Sequence, residues 1–370
     1  MYSGNFIDSI CVTCEISGYL CSMLDNQSTT DLSKLGEFGL IKHLTQNIEL
    51  KNSSSLKGVG DDAAVISYGE NKVTVVSTDM LVEGVHFDLG YVPLRHLGYK
   101  AATVNFSDIC AMNAQPKQLL VSIALSSKFS LDAVEEIYSG MLIACERYGV
   151  DLVGGDTTSS KSGLVISCTI LGEGEKEKLV YRNGAKENDL VCVSGDLGGA
   201  YMGLMMLERE KEVFKSDPNI QPDLEGNDYI LERQLKPEAR IDVVEMLHAL
   251  GIKPTSMIDV SDGLASEILH ICSQSEVGAQ IYEEKIPLDP MTFDRAREFH
   301  LDPTMTAMNG GEDYELLFTI SMKDYEKLEN NPDVTVIGHI TAKEKGVNLI
   351  TRSNTAHPIT AQGWDALLGK

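Results

Sequence analysis

Apolar, β-branched runs that stop at an aspartate recur along this chain: VTVVSTD (73–79), VDLVGGD (150–156) and SMIDVSDG (256–263). Such runs read as strands, and a carboxylate at a strand's end reads, taken singly, as a turn residue or helix N-cap. Taken together they restrict the fold more tightly. Several strands ending in carboxylates converge on one rim of a sheet, where ligands of α/β folds bind. GVGDDAAVI (58–66) adds Asp61 and Asp62 side by side before an apolar run, and NGGEDYE (309–315) adds Glu312 and Asp313 after two glycines. Adjacent carboxylates need an offset, from a solvated turn or from a bound cation. Converging carboxylates suit hard cations such as Mg²⁺, and nearby glycines let backbone N–H groups approach a phosphate.

Periodicity fills in the elements between these sites. DLSKLGEFGLIKHLTQNI repeats Leu35, Phe38, Ile41 and Leu44 at helical spacing. Strands are expected over 72–80, 117–125, 150–157 and 163–173, with helices over 94–112 and 131–150. A second half follows with strands over 189–196, 256–263, 279–288, 313–321 and 334–341, and helices over 198–210, 236–251 and 264–278. The segment 208–230, rich in charge, Pro and Asn, reads as a surface excursion. The expectation is an α/β protein of two α+β domains with mixed sheets, residues 31–170 and 171–370, behind an N-terminal extension, 1–30, that is poorly ordered. That extension lacks Lys and Arg, and with them the charged n-region of a signal peptide, and Met23 is an alternative start. Its Cys11, Cys14 and Cys21 lack a second pair at zinc-site spacing.

A formal net charge of -24 offers no basic field for nucleic acid or an anionic membrane. There is no apolar run long enough to span a bilayer. The scattered cysteines fit a reducing cytoplasm rather than a disulfide framework. No G-x-x-x-x-G-K-[ST] loop occurs, VSGDLGGA breaks the dinucleotide spacing, and DVSDGLASEILH places His270 where a calcium loop needs Glu.

The motifs LGEFGLI, GVGDDAAVI, STDMLVEGVHF, YKAATVNFSDICAM, LVGGDTT, YRNGAK, IDVSDGL and NGGEDYELLF, in this order over residues 31–364, resemble the thiamine-monophosphate kinase family. That family is related to aminoimidazole-ribonucleotide synthetase, selenophosphate synthetase and a hydrogenase-maturation protein. The resemblance implies an N-terminal domain that pairs with its twin in a homodimer to complete a β-barrel, and a C-terminal α/β domain. It implies transfer of the ATP γ-phosphate to thiamine monophosphate, with several Mg²⁺ ions and K⁺ as a further cation.

Carried over residue by residue, the resemblance makes Asp62, Ser77, Thr78, Asp79, Asp108, Asp156, Asp259 and Asp262 metal ligands. Tyr138, Gly155, Asp156, Arg182 and Ser261 become nucleotide contacts, with Arg182 on a phosphate. His86, Glu312 and Trp364 become substrate contacts, and Asp79, Asp108 and Arg182 the residues most directly tied to catalysis. On this reading Mg²⁺–ATP neutralises Asp61 and Asp62. Selenophosphate synthetase is the nearest alternative, but CVTCEISGYLC lacks the glycines and Lys of that family's catalytic segment. Aminoimidazole-ribonucleotide synthetase and a non-catalytic nucleotide-binding relative are the others.

Overall fold

A computed structural model describes residues 36–361. The N-terminal extension, Leu35 and Trp364 lie outside the described residues. Helix α1 (Gly36–Thr45) belongs to a separate unit that includes residues up to Ile48, and none of its side chains is buried. Glu49 through the last described residue forms one compact unit built on two sheets.

The first sheet has six strands in the order β1-β2-β3-β6-β4-β5: β1 (Ser55–Lys57), β2 (Ala64–Ile66), β3 (Lys72–Val82), β4 (Gln115–Leu125), β5 (Asp151–Ser159) and β6 (Val165–Glu175). Only β4 and β5 pair in parallel, so the sheet is mixed. The sheet is open, with β5 at its free edge and almost wholly exposed.

Helices α2 (Leu94–Ala111) and α3 (Leu131–Tyr148) pack beside it. Ser130 caps α3 by accepting from the Ala133 N–H, and Gly149, at φ 64°, ends it in the left-handed conformation. The two helices meet backbone to backbone. A Cβ at Gly98 would lie 1.8 Å from the Ile137 carbonyl oxygen, and one at Gly140 equally close to that of Arg95. Only glycine permits this approach.

The second sheet has seven strands in the order β13-β12-β9-β11-β7-β10-β8: β7 (Leu190–Ser194), β8 (Ser256–Asp259), β9 (Gly278–Tyr282), β10 (Leu316–Ile320), β11 (Val334–Thr341), β12 (Val347–Ile350) and β13 (Ala356–Pro358). It is antiparallel except for β12 against β9. Its helices are α4 (Gly199–Ser216), α5 (Asp228–Leu235), α6 (Ile241–Ala249), α7 (Leu264–Ser275), α8 (Pro290–Glu298), α9 (Pro303–Asn309) and the short α10 (Tyr325–Leu328).

Several elements differ from the sequence reading. Helix α4 runs on to Ser216, carried by the part-buried pair Glu208–Lys211 and the exposed pair Glu212–Lys215, one turn apart. Helix α5 occupies part of the expected surface excursion. The expected helix over 236–251 begins only at Ile241, since Pro237 favours an extended Lys236 before it. β9 stops at Tyr282, where a short 3₁₀ turn follows.

Helix α2 is the pivot. It touches β3, β4 and β6 of the first sheet, α3, and β8, α5 and α6 of the second half. Nearly every side chain from Leu97 to Ala111 is therefore buried, polar ones included: Lys100, Thr103, Asn105 and Ser107. Phe106 is wholly buried and packs edge-on to Tyr148 at 5.4 Å. Truncating such a ring to Ala costs about 3–5 kcal/mol, so α2 is held rigidly enough to serve as the platform of a site.

Candidate active site

The polar residues of α2 reach in several directions. Ser107 Oγ donates to Asp259 Oδ2 at 2.6 Å, at the end of β8, and Asp108 Oδ2 accepts from Ser77 Oγ on β3, also at 2.6 Å. Asn105 Oδ1 accepts the Asp79 N–H at 3.1 Å. Asp62, on the turn between β1 and β2, completes the group. One carboxylate oxygen from each of Asp62, Asp108 and Asp259 lies within 4.8 Å of the others. Two domains and a turn thus bring together carboxylates that are almost two hundred residues apart in sequence.

The adjacent Asp61 and Asp62 have different work. Asp61 accepts the Arg182 main-chain N–H at 3.0 Å and pairs with Lys57 Nζ at 3.1 Å. Asp62 Oδ1 receives Arg182 Nε at 3.0 Å and Nη2 at 2.6 Å. The protein itself therefore supplies a cation to each member of the pair, an offset that the expectation of neutralisation by Mg²⁺–ATP did not include. One arginine does not balance the whole cluster. Burial pushes the Asp62 carboxyl up to about 7, with Arg182 pulling it down and Asp259 pushing it further up. Asp79 and Asp259 are pushed up to about 6, again by burial first. Asp108 lies well above the carboxylate range through burial and then repulsion from Asp79, Asp259 and Asp62.

Asp62 Oδ2 is buried and has no hydrogen-bond partner. An orphaned anionic oxygen, in a group whose donors are all hard oxygens, fits Mg²⁺ rather than a soft metal.

Other sequence-predicted residues fall around this centre. Ser77 and Asp79 share one face of β3. Thr78 points to the opposite face by strand alternation, and its hydroxyl donates to the Cys168 carbonyl at 2.9 Å. The Thr78 side chain therefore does not join the carboxylates. Asp156 is exposed on the edge strand β5 and is not one of the three clustered carboxylates. Beside it Gly155 presses against β4, where a Cβ would stand 1.8 Å from the Val121 carbonyl oxygen. Tyr138 is half-buried on α3, packed against the hydrophobic core to which α2 contributes Phe106 and Ile109. Ser261 and Asp262 form the turn after β8. The Glu312 N–H donates to the Ser261 carbonyl at 2.7 Å, so the NGGED segment lies against that turn.

Glu312 itself sits at φ 67°, an uncommon conformation for a non-glycine residue. Its Oε1 is 2.9 Å from Lys100 Nζ, and its Oε2 accepts from Gln234 Nε2 at 2.7 Å. His86, in the turn after β3, lines a small cavity with Lys100 and Gln234. The imidazole Nδ1 accepts the Val82 N–H at 3.0 Å. The predicted substrate contacts His86 and Glu312 therefore come to one place through Lys100 and Gln234.

Sequence reasoning missed Lys57, Lys100, Asn105, Ser107, Gln234 and Glu267, whose Oε1 accepts the Asp262 N–H at 3.0 Å. Lys100, Asn105 and Ser107 carried a signal, being polar interruptions in an otherwise apolar helix.

Comparison with known proteins agrees with this layout. The family described as AIR synthase related protein, N-terminal domain, matches residues 60–173, and its C-terminal domain counterpart matches 186–349. A thiamine-monophosphate kinase of Bacillus subtilis (strain 168) is 34% identical over 336 residues, 90% of this chain and 99% of the relative. The Aquifex aeolicus (strain VF5) thiamine-monophosphate kinase is 35% identical over 335 residues, 90% and 98% of the two chains. A solved structure described as AaThiL complexed with AMPPCP and TMP superposes with a TM-score of 0.78 at 34% identity, covering 91% of this chain and 99% of that one. The hydrogenase maturation protein HypE in complex with ATP shares the fold, with a TM-score of 0.64 at 19% identity, 92% of this chain and 100% of that chain being covered. By both halves of its sequence and by its fold, the chain belongs to the thiamine-monophosphate kinase family.

Proposed function

We propose that this chain transfers the γ-phosphoryl group of ATP to thiamine monophosphate, giving thiamine diphosphate and ADP. The observation that carries the reading is the cation-poor group of Asp62, Asp108 and Asp259, with one oxygen left orphaned. The family relatives and the complex with AMPPCP and TMP support the choice of nucleotide and acceptor.

Asp62, Ser77, Asp79, Asp108, Asp259 and Asp262 are the residues assigned to hold Mg²⁺, with Asp156 as a further ligand and the Thr78 hydroxyl left out because it faces away; K⁺ is a further cation. Bound Mg²⁺ supplies charge stabilisation to the phosphates and offsets repulsion between the two anionic substrates. The chain's own part is positioning. Ser77 and Ser107 fix the rotamers of Asp108 and Asp259. Arg182 places a fixed positive charge beside Asp62, suited to a phosphate oxygen. Tyr138, Gly155 and Ser261 are assigned to the nucleotide, and His86, Glu312 and Trp364 to the acceptor. The acceptor oxygen belongs to a phosphate already ionised at neutral pH, so no general base is required, and in-line attack needs no phosphorylated protein.

The unit of function is taken to be a cytoplasmic homodimer. Edge strand β5, nine residues long and exposed, is a pairing liability if left open. Pairing with a twin sheet closes a barrel and covers it. The five described cysteines are free and buried, in keeping with a reducing compartment. Among the described residues no helix is long and apolar enough to cross a membrane.

The test is ADP formation from Mg²⁺–ATP with thiamine monophosphate, selenide or the aminoimidazole precursor as acceptor. Turnover with thiamine monophosphate alone supports the reading. Turnover with either of the others, or a phosphorylated protein trapped during the reaction, overturns it.

A further inference from the structure

Gln234, on α5, is 5% exposed, and three of its polar groups are accounted for unequally. Its carbonyl accepts Lys100 Nζ at 3.1 Å and its Nε2 donates to Glu312 Oε2 at 2.7 Å. Its Oε1 is buried with no partner. The amide cannot be turned over, because its oxygen would then face the Glu312 carboxylate. A buried acceptor without a donor is disfavoured, and such an atom in a native protein asks for one. The residue lines a cavity of about 10 Å³ with His86, Phe87, Tyr91 and Leu235. That volume holds one small polar group and no ring.

Helix α2 relates this cavity to the carboxylates. Lys100 and Asp108 are eight residues apart, about 12 Å along a helix axis. His86 and Glu312, assigned above to the acceptor, lie beside Lys100 at this cavity, so an acceptor whose phosphate faces Asp108 is taken to run its far ring towards Lys100. In the acceptor assigned above, on which this inference rests, that far ring is a pyrimidine bearing an exocyclic amino group, a donor of the missing kind.

We propose that Gln234 Oε1 accepts a hydrogen bond from that amino group. This makes Gln234 a specificity-determining residue for amino-substituted two-ring phosphate acceptors. Lys100 and Glu312 are its positioning pair, one fixing the main chain and the other the amide.

The test is steady-state kinetics on the full chain with Mg²⁺–ATP, using thiamine monophosphate and the analogue that carries hydrogen in place of the amino group. Wild type prefers the amino acceptor by roughly 10- to 100-fold in kcat/KM, mostly through KM, because the analogue leaves the buried acceptor unpaired. Gln234→Leu removes that acceptor, so the two substrates converge to within about 3-fold while KM for ATP stays within the same factor. A wild type indifferent to the amino group overturns the inference, as does a variant that weakens both acceptors equally and keeps the preference. Should Gln234→Leu melt early, Gln234→Met carries the same comparison. Equal turnover of both acceptors by wild type sinks this inference alone. Absence of turnover with either sinks the assigned reaction as well.

Discussion

Around Asp108, carboxylates outnumber cations; around Lys100, two turns earlier on the same helix, charges are matched. Arg182 pairs with Asp62 and draws on Asp259, no such cation acts on Asp79 or Asp108, and the carboxyl groups of all four are pushed above their ordinary range. Lys100 and Glu312, by contrast, form a closed pair braced by Gln234. A site left short of positive charge is built for a ligand that brings cations. A site already neutral is built to recognise shape and hydrogen bonds. On the proposed assignment one rigid helix carries the nucleotide–metal end and the acceptor end, and the sign of a mutation's effect on stability should differ between them.

Lys100→Met gives the largest stability effect. Removing one partner of a buried pair leaves the other charge uncompensated, and the partly accessible Glu312 sets the loss at roughly 2–4 kcal/mol. Denaturant unfolding measures it; a neutral or stabilising result breaks the contrast from the acceptor side. Asp79→Asn and Asp108→Asn should do the reverse, keeping the fold while lowering kcat by at least ~100-fold. Near-normal turnover at saturating Mg²⁺ removes the residue concerned from the metal set.

Stability without ligand should also depend on pH in a definite direction. Asp62, Asp79 and Asp259 have folded-state values raised from 3.8 to about 7, 6 and 6. For a raised carboxyl the native state holds its proton longer, so its contribution is complete below about 4 and lost as pH rises through 6–7. In EDTA the melting temperature should therefore climb by roughly 3–8 °C between pH 8 and pH 5.5, and Mg²⁺–ATP should flatten that slope. A flat profile in EDTA means that the cluster is already neutralised.

Smallest is Ser107→Ala. It frees Asp259 without removing a charge and should raise the Mg²⁺ concentration for half-maximal rate by about 10-fold, with stability little changed. Titration of the rate against Mg²⁺ checks this, and an unchanged requirement leaves Ser107 a packing residue.

The sequence made some of this molecule legible and hid the rest for physical reasons. Strand β3 announced itself through its β-branched run with Val73 and Val75 turned inward, and helix α2 through its length alone, since it is buried on nearly every side. Helices α8 and α9 were overlooked although Asp289-Pro290 and Asp302-Pro303 place an N-cap and a first-turn proline at each start. Helix α5 has only eight residues, among charged neighbours, and with it went Gln234. Asp62, Asp108 and Asp259 could be picked out as carboxylates at strand ends and on an apolar helix. Which of them meet was not in the pattern, since Arg182 reaches Asp62 from 120 residues away. Lys100 was visible as a charge on a buried helix, but its partners exist only once two domains pack.

The melting temperature of Asp108→Asn in EDTA at pH 8, compared with wild type and repeated with Mg²⁺ and an unhydrolysable ATP analogue, tests the charge deficit most directly. The deficit predicts that the variant melts above wild type without ligand, by about 2–6 °C, and gains little when ligand is added, whereas wild type gains strongly. A variant that melts below wild type in EDTA, and gains as much from Mg²⁺ and nucleotide as wild type does, contradicts it.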